Sequence, residues 1–325
     1  MKKNLMAFAG CLFLAFGCTK EPITTVQPEE ETFETAGIAG RCASEEVLQQ
    51  QLQDDPTLAA RMQNIELATQ LYLKKPDDRL LSGGIIEIPV VFNVIYKTAA
   101  ENISLAQIQS QIDVLNADFS AGNIDYNSTP SYFQSDRSGD VKIRFVLDQV
   151  IRKSTTKSSF RTDDAMKKSS RGGIDPTSPS NKLNIWVCNM GGGILGYAQF
   201  PGGSLATDGV VLDNNATGNT GTAAAPYGLG RTATHEIGHW LNLRHIWGDA
   251  TCGNDFVGDT PLHQSSNGGC PAFPKYGSCS ATVPMMTMNY MDYTYDACMY
   301  MFSLGQSSRM NATFASGGGR TGFAL

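Results

Sequence analysis

The stretch at residues 235–245, which reads His-Glu-Ile-Gly-His-Trp-Leu-Asn-Leu-Arg-His, constrains this chain more than any other feature of its sequence. The chain has only four histidines in 325 residues, and three of them lie in this window. On an α-helix His235 and His239 stand at i and i+4, so both imidazoles project from one face and can share a small cation. Zinc suits such a pair, because it takes imidazole nitrogen in tetrahedral sites and, in catalytic sites, keeps one position open for water.

The neighbouring residues predict the rest of a metal centre. Glu236 lies beside the first ligand, where its carboxylate can take a proton from the water in that open position. His245 follows His239 by six residues, and a continuous helix would carry it away. Because Asn242 tolerates the left-handed backbone that ends helices, a turn there would return His245 as the third ligand. The alternative, a polar helix with incidental histidines, has to treat three of the four histidines as coincidence.

The pattern resembles the metzincin metalloproteases, in which His-Glu-x-x-His-x-x-Gly-x-x-His precedes a methionine-containing turn. Asn242 stands where most metzincins have glycine. Residues 288–293 read Met-Asn-Tyr-Met-Asp-Tyr, which is similar to the pappalysin family in particular, in its bacterial cytophagalysin and ulilysin-like branch. The resemblance runs from about residue 41 to about residue 310 and implies that Met291 is the methionine of the turn. It also implies that the Tyr293 hydroxyl lies near the zinc and stabilises an oxyanion; the alternative is a core or surface aromatic.

The N-terminus predicts export. Residues 1–18 have Lys2 and Lys3 before an almost wholly apolar stretch and a small residue before Cys18, as in a bacterial lipoprotein signal peptide. Cys18 would then carry lipid, so we expect a precursor anchored to the outer membrane or cell surface and a secreted mature form. Ordinary cleavage with an idle Cys18 is the alternative. No later run of apolar residues is long enough for a transmembrane helix, and a net charge of −6 does not indicate a nucleic-acid partner.

Residues 19–82 predict a polar tether and a helical propeptide. Ser44 can cap a first helix, and an Asp-Pro pair at residues 55–56 can start a second. The second helix would bury a stripe of apolar residues: Leu58, Met62, Ile65, Ala68 and Leu71. The family resemblance implies that the Cys42 thiolate, a good zinc ligand, blocks the open zinc position. Two alternatives stay open: an incidental cysteine in a small helical cap, and a Cys42–Cys188 disulfide.

Residues 83–325 predict the metalloprotease catalytic domain. β-Branched residues at 85–96 indicate a buried strand, and residues 104–119 combine a capping box with helical apolar spacing, which predicts a backing helix. Strands are expected at 143–147, 183–187 and 208–212, and the active-site helix from about residue 227 to 242. The segment near Tyr197 is either an edge strand that pairs with extended substrate or a plain loop.

The fold class that follows is α/β (α+β), of the metzincin type. We expect a twisted, mostly parallel sheet with a backing helix and an active-site helix, then an irregular C-terminal subdomain pinned by disulfides. Four cysteines allow three pairings, and the resemblance implies a crossed one, Cys252 with Cys279 and Cys270 with Cys298. It also implies structural calcium near Asp249, Asp255 and Asp259, whereas solvated loop acids are the alternative; His263 is expected to be a surface or loop histidine.

These features predict a secreted zinc endopeptidase, made as a zymogen, that acts on protein or peptide substrates. Asp292 and Asp296 could shape the pocket after the scissile bond and favour a basic side chain there, but Ala297 departs from the family pattern and leaves the preference open. A catalytically inactive zinc-binding or adhesion protein of the same fold is the first alternative, and the intact Glu236 argues against it. A zinc hydrolase of a non-peptide substrate is the second, and the methionine turn argues against that.

Overall fold

The computed structural model describes residues 41–75 and 84–323. We refer to residues 41–75 as the N-terminal segment and to residues 84–323 as the main portion. The predicted signal peptide at residues 1–18, the lipidated Cys18, the tether and the predicted domain boundary at residue 82 lie outside the described residues.

The strands of the main portion form one five-stranded sheet. They are β1 (Ile86–Tyr96), β2 (Ile143–Ser154), β3 (Leu183–Cys188), β4 (Gly196–Ala198) and β5 (Val210–Asp213). Their order is β2-β1-β3-β5-β4, and only β4 is antiparallel to its neighbour. The predicted, mostly parallel sheet is confirmed. The segment around Tyr197 is a strand at the sheet edge, so the plain-loop alternative for it is wrong.

The helices are α1 (Ser44–Asp54), α2 (Leu58–Lys74), α3 (Leu105–Phe119), α4 (Arg231–Trp240) and α5 (Leu304–Ala312). The side chain of Ser104 caps α3 by accepting from the Gln107 N–H at 3.1 Å. The other half of the predicted capping box is missing, because the Gln107 side-chain oxygen accepts instead from the Thr222 N–H at 3.1 Å. In the described part of the chain, no helix has the length and apolar character needed to cross a membrane.

Aromatic side chains join the backing helix, the sheet and the C-terminal region into one core. Phe119 of α3 packs edge-on against Phe145 of β2 and against Phe302, with ring centroids 5.0 and 5.2 Å apart. Every residue of α4 is buried beneath this assembly. A helix buried on all sides must pair its polar groups within the protein, and this requirement shapes the site described below.

Helix α4 begins at Arg231, four residues later than the sequence predicts. Gly230 adopts a left-handed conformation (φ +81°) and separates the helix from the preceding loop. The carboxylate of Asp296 accepts hydrogen bonds from the N–H groups of Leu229 and Arg231, at 2.9 and 3.2 Å. The residue that fixes the start of the helix is therefore distant in sequence, and local pattern could not reveal it.

The N-terminal segment packs on the main portion through only part of the predicted stripe. Leu58 and Ile65 are buried, but Leu71 is 63% exposed, so the prediction is wrong at that position. Thr69 is buried in its place, with its hydroxyl bonded to the Ile65 carbonyl at 2.9 Å. Helical spacing identifies a face of α2 but not where its contact surface ends.

Candidate active site

A sharp turn after α4 brings the third histidine back to the first two. Asn242 has φ +71°, its N–H donates to the His239 carbonyl, and the next N–H, of Leu243, reaches back to the Gly238 carbonyl; both distances are 2.9 Å. This is a Schellman motif, with asparagine in the left-handed position usually held by glycine. As a result, the Nε2 atom of His239 lies 3.2 Å from that of His235 and 3.1 Å from that of His245.

Hydrogen bonds on the far side of the rings set the tautomers. Nδ1 of His235 lies 2.6 Å from the Tyr290 carbonyl oxygen, and Nδ1 of His239 lies 2.8 Å from that of Leu243. A carbonyl oxygen only accepts, so each Nδ1 carries the proton and each Nε2 presents its lone pair to the shared centre. Burial lowers the pKa of both rings well below the usual histidine value, which keeps them in the neutral form that binds metals.

Cys42 completes a group of four ligand atoms. Its sulfur and one nitrogen from each of the three histidines all lie within 4.8 Å of one another, and all four residues are buried. Tetrahedral zinc with bonds of about 2.0–2.1 Å would hold its nitrogens about 3.3–3.4 Å apart, which is close to the spacing here. The donor set, its neutral imidazoles and its burial therefore fit a zinc ion.

The carboxylate of Glu236 adjoins this group. Its Oε2 accepts from the Ser44 hydroxyl at 2.8 Å and lies 3.3 Å from the Cys42 sulfur. Its buried Oε1 has no hydrogen-bond partner among the described residues. Burial raises the pKa of Glu236 to about 7. One carboxylate oxygen is thus held by the N-terminal segment, while the other keeps its full capacity to accept a proton.

Ser44 has a different role from the one its sequence position suggests. The prediction that it caps α1 is wrong, because Ala43 occupies the cap position and no side chain caps the helix. Besides its bond to Glu236, the Ser44 hydroxyl accepts from the Ala198 N–H at 2.8 Å. It therefore bridges strand β4 and the candidate general base, a role that sequence reasoning missed.

Met291 lies directly beneath the active-site helix. It is fully buried, and its carbonyl accepts from the Ile246 N–H at 3.1 Å, just after the third histidine. A methyl group added at Gly238 would come within 2.5 Å of the Met291 sulfur. The glycine between the two helical histidines therefore allows the methionine turn to approach the helix backbone.

The structure places Tyr293 at the rim of the metal-ligand group. Its hydroxyl donates to the Cys42 carbonyl at 3.1 Å and lies 3.1 Å from Nε2 of His245. The side chain is 9% exposed, and its ring packs against those of His245 and Trp247. A phenol in this position can donate a hydrogen bond to charge that develops beside the metal.

A pocket next to the centre holds the guanidinium of Arg41. The guanidinium donates to the Thr294 carbonyl, lies 3.5 Å from the buried Asp296 carboxylate and stacks over the Tyr227 ring at 4.6 Å. Burial raises the pKa of Asp296, and the positive charge of Arg41 opposes that rise. The pocket is thus suited to a basic side chain, and Asp296 is the acidic residue that provides this property.

Asp292, the other acid proposed for this pocket, belongs to the scaffold. Its oxygens accept from the backbone and side-chain amides of Asn267, both at 2.7 Å. His263 lies beside it, fully buried, with Nε2 accepting from the Met286 N–H at 2.9 Å. His263 lies in a loop, as predicted, but the surface alternative is wrong, because this buried ring accepts from backbone that leads into the methionine turn.

The cysteines of the C-terminal region form the crossed pair of disulfides, Cys252–Cys279 and Cys270–Cys298. Cys42 and Cys188 are free and buried. Cys188 faces Met190, with the sulfur atoms 3.6 Å apart, so the alternative Cys42–Cys188 disulfide is absent.

The three acids considered for calcium have separate protein partners. Asp249 contacts Nδ1 of His245 and so orients a metal-ligand ring. Asp255 accepts from Thr260 and Val257, whereas Asp259 accepts from the Ser303 hydroxyl and the Gly305 N–H at the start of α5. Calcium remains a prediction from the resemblance, and the contact of Asp249 with the third histidine was not anticipated.

A fold of this type, with a His-Glu-x-x-His helix, a returning third histidine and a methionine turn beneath them, defines a metzincin metalloprotease. The model of the pregnancy-associated plasma protein-A family matches residues 182–315. An extracellular metalloprotease of Verticillium alfalfae is 31% identical over 79% of this chain and 88% of the relative, and one of Coccidioides posadasii is 33% identical over 70% and 76%. The chain belongs to the pregnancy-associated plasma protein-A (pappalysin) family of metalloproteases.

Two solved structures match closely. A point mutant of Tannerella forsythia promirolysin is 43% identical, with a TM-score of 0.79, over 87% of this chain and 96% of that chain. Mature mirolysin of the same organism, in complex with a cleaved peptide, is 46% identical, with a TM-score of 0.72, over 75% and 97%. The pro-form therefore matches a larger share of this chain than the mature form does.

Replacing Gly238 with alanine tests the contact between α4 and the methionine turn. The added methyl would collide with the Met291 sulfur, so we expect Gly238→Ala to lower the free energy of unfolding by roughly 1–3 kcal/mol, although alanine favours helix. Urea unfolding measures this. In a Met291→Ala background, where the sulfur is absent, the cost of adding Gly238→Ala should be much smaller. Gly258→Ala is the matched control, because no heavy atom lies within 4 Å of its added carbon; a stable Gly238→Ala protein would contradict the contact.

Proposed function

We propose that this protein is a secreted, zinc-dependent endopeptidase that is made as a zymogen. The observation that carries the proposal is the buried group of three Nε2 atoms beside Glu236, whose Oε1 has no hydrogen-bond partner among the described residues. The names of the curated relatives, extracellular metalloproteases, support both the activity class and the export.

His235, His239 and His245 would hold the zinc, with the rings oriented by Tyr290, Leu243 and Asp249. A zinc ion bound there would supply Lewis-acid chemistry, polarising the scissile carbonyl and lowering the pKa of an attacking water.

The chain's own groups would manage the protons and the developing charge. Oε1 of Glu236 would accept the proton of the attacking water and then deliver it to the leaving amine. The hydroxyl of Tyr293, 3.1 Å from the nearest ligand nitrogen, would donate to the oxyanion of the tetrahedral intermediate. Strand β4 would bind the substrate backbone by strand addition, since it is an edge of the sheet.

The N-terminal segment would keep the precursor latent. The Ala43 N–H donates to the Gly196 carbonyl at 3.0 Å, so the segment pairs with the edge that a substrate needs. The Cys42 thiol takes the position of the fourth ligand, and the Ser44 hydroxyl binds the general base. The greater coverage of promirolysin than of mature mirolysin supports assigning this segment to a propeptide.

Two other functions are less well supported. A catalytically inactive zinc-binding or adhesion protein would have no use for a buried glutamate whose Oε1 lacks a partner among the described residues. A hydrolase of non-peptide substrates would have no use for an edge strand beside its metal centre that can pair with a peptide backbone.

Two variants separate the roles of Glu236 and the histidines. Glu236→Ala should lower the cleavage of a denatured protein substrate by at least about 10²-fold, as expected for loss of a general base, while zinc stays bound. His245→Ala should instead lower zinc occupancy, because it removes a ligand. Activity assays with and without a chelator, paired with metal analysis, measure both. Zinc loss in Glu236→Ala, or chelator-resistant cleavage, would contradict the proposal.

The free cysteines provide a matched pair for testing latency. Cys42→Ala should raise the peptidase activity of the uncleaved full-length protein, because the sulfur no longer occupies a ligand position. Cys188→Ala should leave it unchanged, since that thiol lies in the core next to Met190. A Cys42→Ala precursor as latent as the parent would sink the proposed cysteine switch.

Processing should release the enzyme as well as activate it. We expect a membrane-bound precursor with lipid on Cys18 and a soluble active form that begins between about residues 78 and 86, because pairing in β1 from Ile86 onward protects the backbone. Cell fractionation and N-terminal sequencing test this. An active species that stays in the membrane fraction with Cys18 attached would separate activation from release.

A further inference from the structure

Two arginines of the main portion are paired with glutamates of the N-terminal segment. Arg309 of α5 donates to Glu66 of α2 through both terminal guanidinium nitrogens, at 2.5 and 3.1 Å. Arg244, in the turn between the second and third histidines, lies 3.2 Å from Glu45 of α1. The Arg309 side chain is only 2% exposed and that of Arg244 22% exposed, so the segment covers both charges.

The two arginines lie close to the metal-ligand group. Nε of Arg309 donates to the Asn242 carbonyl at 2.8 Å, within the turn that returns His245. The Arg244 guanidinium stacks at 4.6 Å over Phe200, whose ring lies 5.2 Å from that of His239. Both guanidinium groups therefore contact residues that lie next to the candidate metal ligands.

Neither Arg244 nor Arg309 forms an ion pair with any residue of the main portion, residues 84–323. Asp249 and Asp255, which bond to His245 and Thr260, contribute longer-range attraction to Arg244 and Arg309 but form no ion pair with them. Burial alone would raise the pKa of Glu66, but its hydrogen bonds and charge interaction with Arg309 lower that pKa below the usual value. The site therefore stabilises a carboxylate anion despite partial burial.

The segment threads past the centre with opposite charges on either side of Cys42. Arg41, just before the thiol, enters the pocket of Asp296, whereas Glu45, just after Ala43 and Ser44, reaches Arg244. Once the segment leaves, the Asp296 pocket and the two arginines are left without these partners. Arginines that have lost their carboxylate ion-pair partners beside a cleft attract anionic groups, and guanidinium groups bind carboxylates in the bidentate manner that Glu66 shows.

We propose that Arg244 and Arg309 form a subsite of the processed enzyme that binds acidic side chains of the substrate, on the side of the metal centre away from Asp296. This inference rests on the proposed peptidase function and adds a charge preference to it. Recognition would then depend on opposite charges on the two sides of the scissile bond.

Peptide cleavage by the enzyme processed from the full-length chain tests the subsite. Otherwise identical peptides carry glutamate, glutamine or lysine at successive positions on one side of the scissile bond and a constant arginine on the other. We expect glutamate to exceed glutamine in kcat/KM by roughly threefold to thirtyfold at one or two positions, mainly through KM, with lysine lowest. The preference should shrink at high ionic strength.

Variants assign the preference to the two arginines. Arg244→Gln, and separately Arg309→Lys, should lower the glutamate-to-glutamine ratio; the ratio is taken within one enzyme, so a change in folded fraction cancels. Arg144→Gln is the matched control, because Arg144 pairs with Asp140 at the opposite edge of the sheet and should not alter the ratio. Equal rates for glutamate and glutamine, or a ratio unchanged in both variants, would overturn the subsite. Failure to cleave any peptide or denatured protein would overturn the proposed function as well.

Discussion

The rest of the structure depends on the hydrogen bonds that orient two buried imidazoles. Each ring needs an acceptor behind it, and the acceptors are carbonyl oxygens of Tyr290 and Leu243. One belongs to the methionine turn and the other to the Schellman turn at the end of α4. The candidate metal ligands are therefore set by two backbone turns that must meet under one helix, and the glycine at 238 makes that approach possible.

Burying the active-site helix imposes a second constraint. A polar group taken from water without a partner costs roughly 1–3 kcal/mol in proteins, so partners for the polar groups of α4 stabilise the fold. Among the described residues, the Thr232 hydroxyl and Oε1 of Glu236 are the exceptions on this helix. The Thr234 hydroxyl bonds to Asp118 at 2.7 Å, and Arg231 pairs with Asp118 and Asp125. Near the helix end, Arg320 covers the Trp240 ring and pairs with Asp208. The backing helix and the C-terminal region thus supply the partners that allow a catalytic helix to lie inside the core.

The features that could be predicted from the sequence are those that depend on neighbouring residues alone. Helical spacing located His235 and His239, the tolerance of asparagine for left-handed backbone pointed to the turn at 242, and β-branched runs located the sheet. What could not be predicted depends on distant partners. Ser44 looks like a helix cap until β4 and Glu236 are placed beside it, and the start of α4 depends on Asp296, which lies 65 residues from Arg231. The His263 ring is buried because its Nε2 accepts from the Met286 backbone.

In the proposed zymogen, the N-terminal segment would block the site by using contacts that a substrate would use. It pairs with the edge of β4, places Arg41 beside Asp296 and pairs two of its glutamates with Arg244 and Arg309. In addition, its Cys42 thiol lies among the candidate metal-ligand nitrogens, and its Ser44 hydroxyl bonds to Glu236. Its two helices have 11 and 17 residues, and helices in proteins owe most of their stability to tertiary packing. After the proposed cleavage, the segment would lose its covalent link to the catalytic domain and the packing that keeps its helices folded. Rebinding would then be unfavourable, so activation would proceed in one direction.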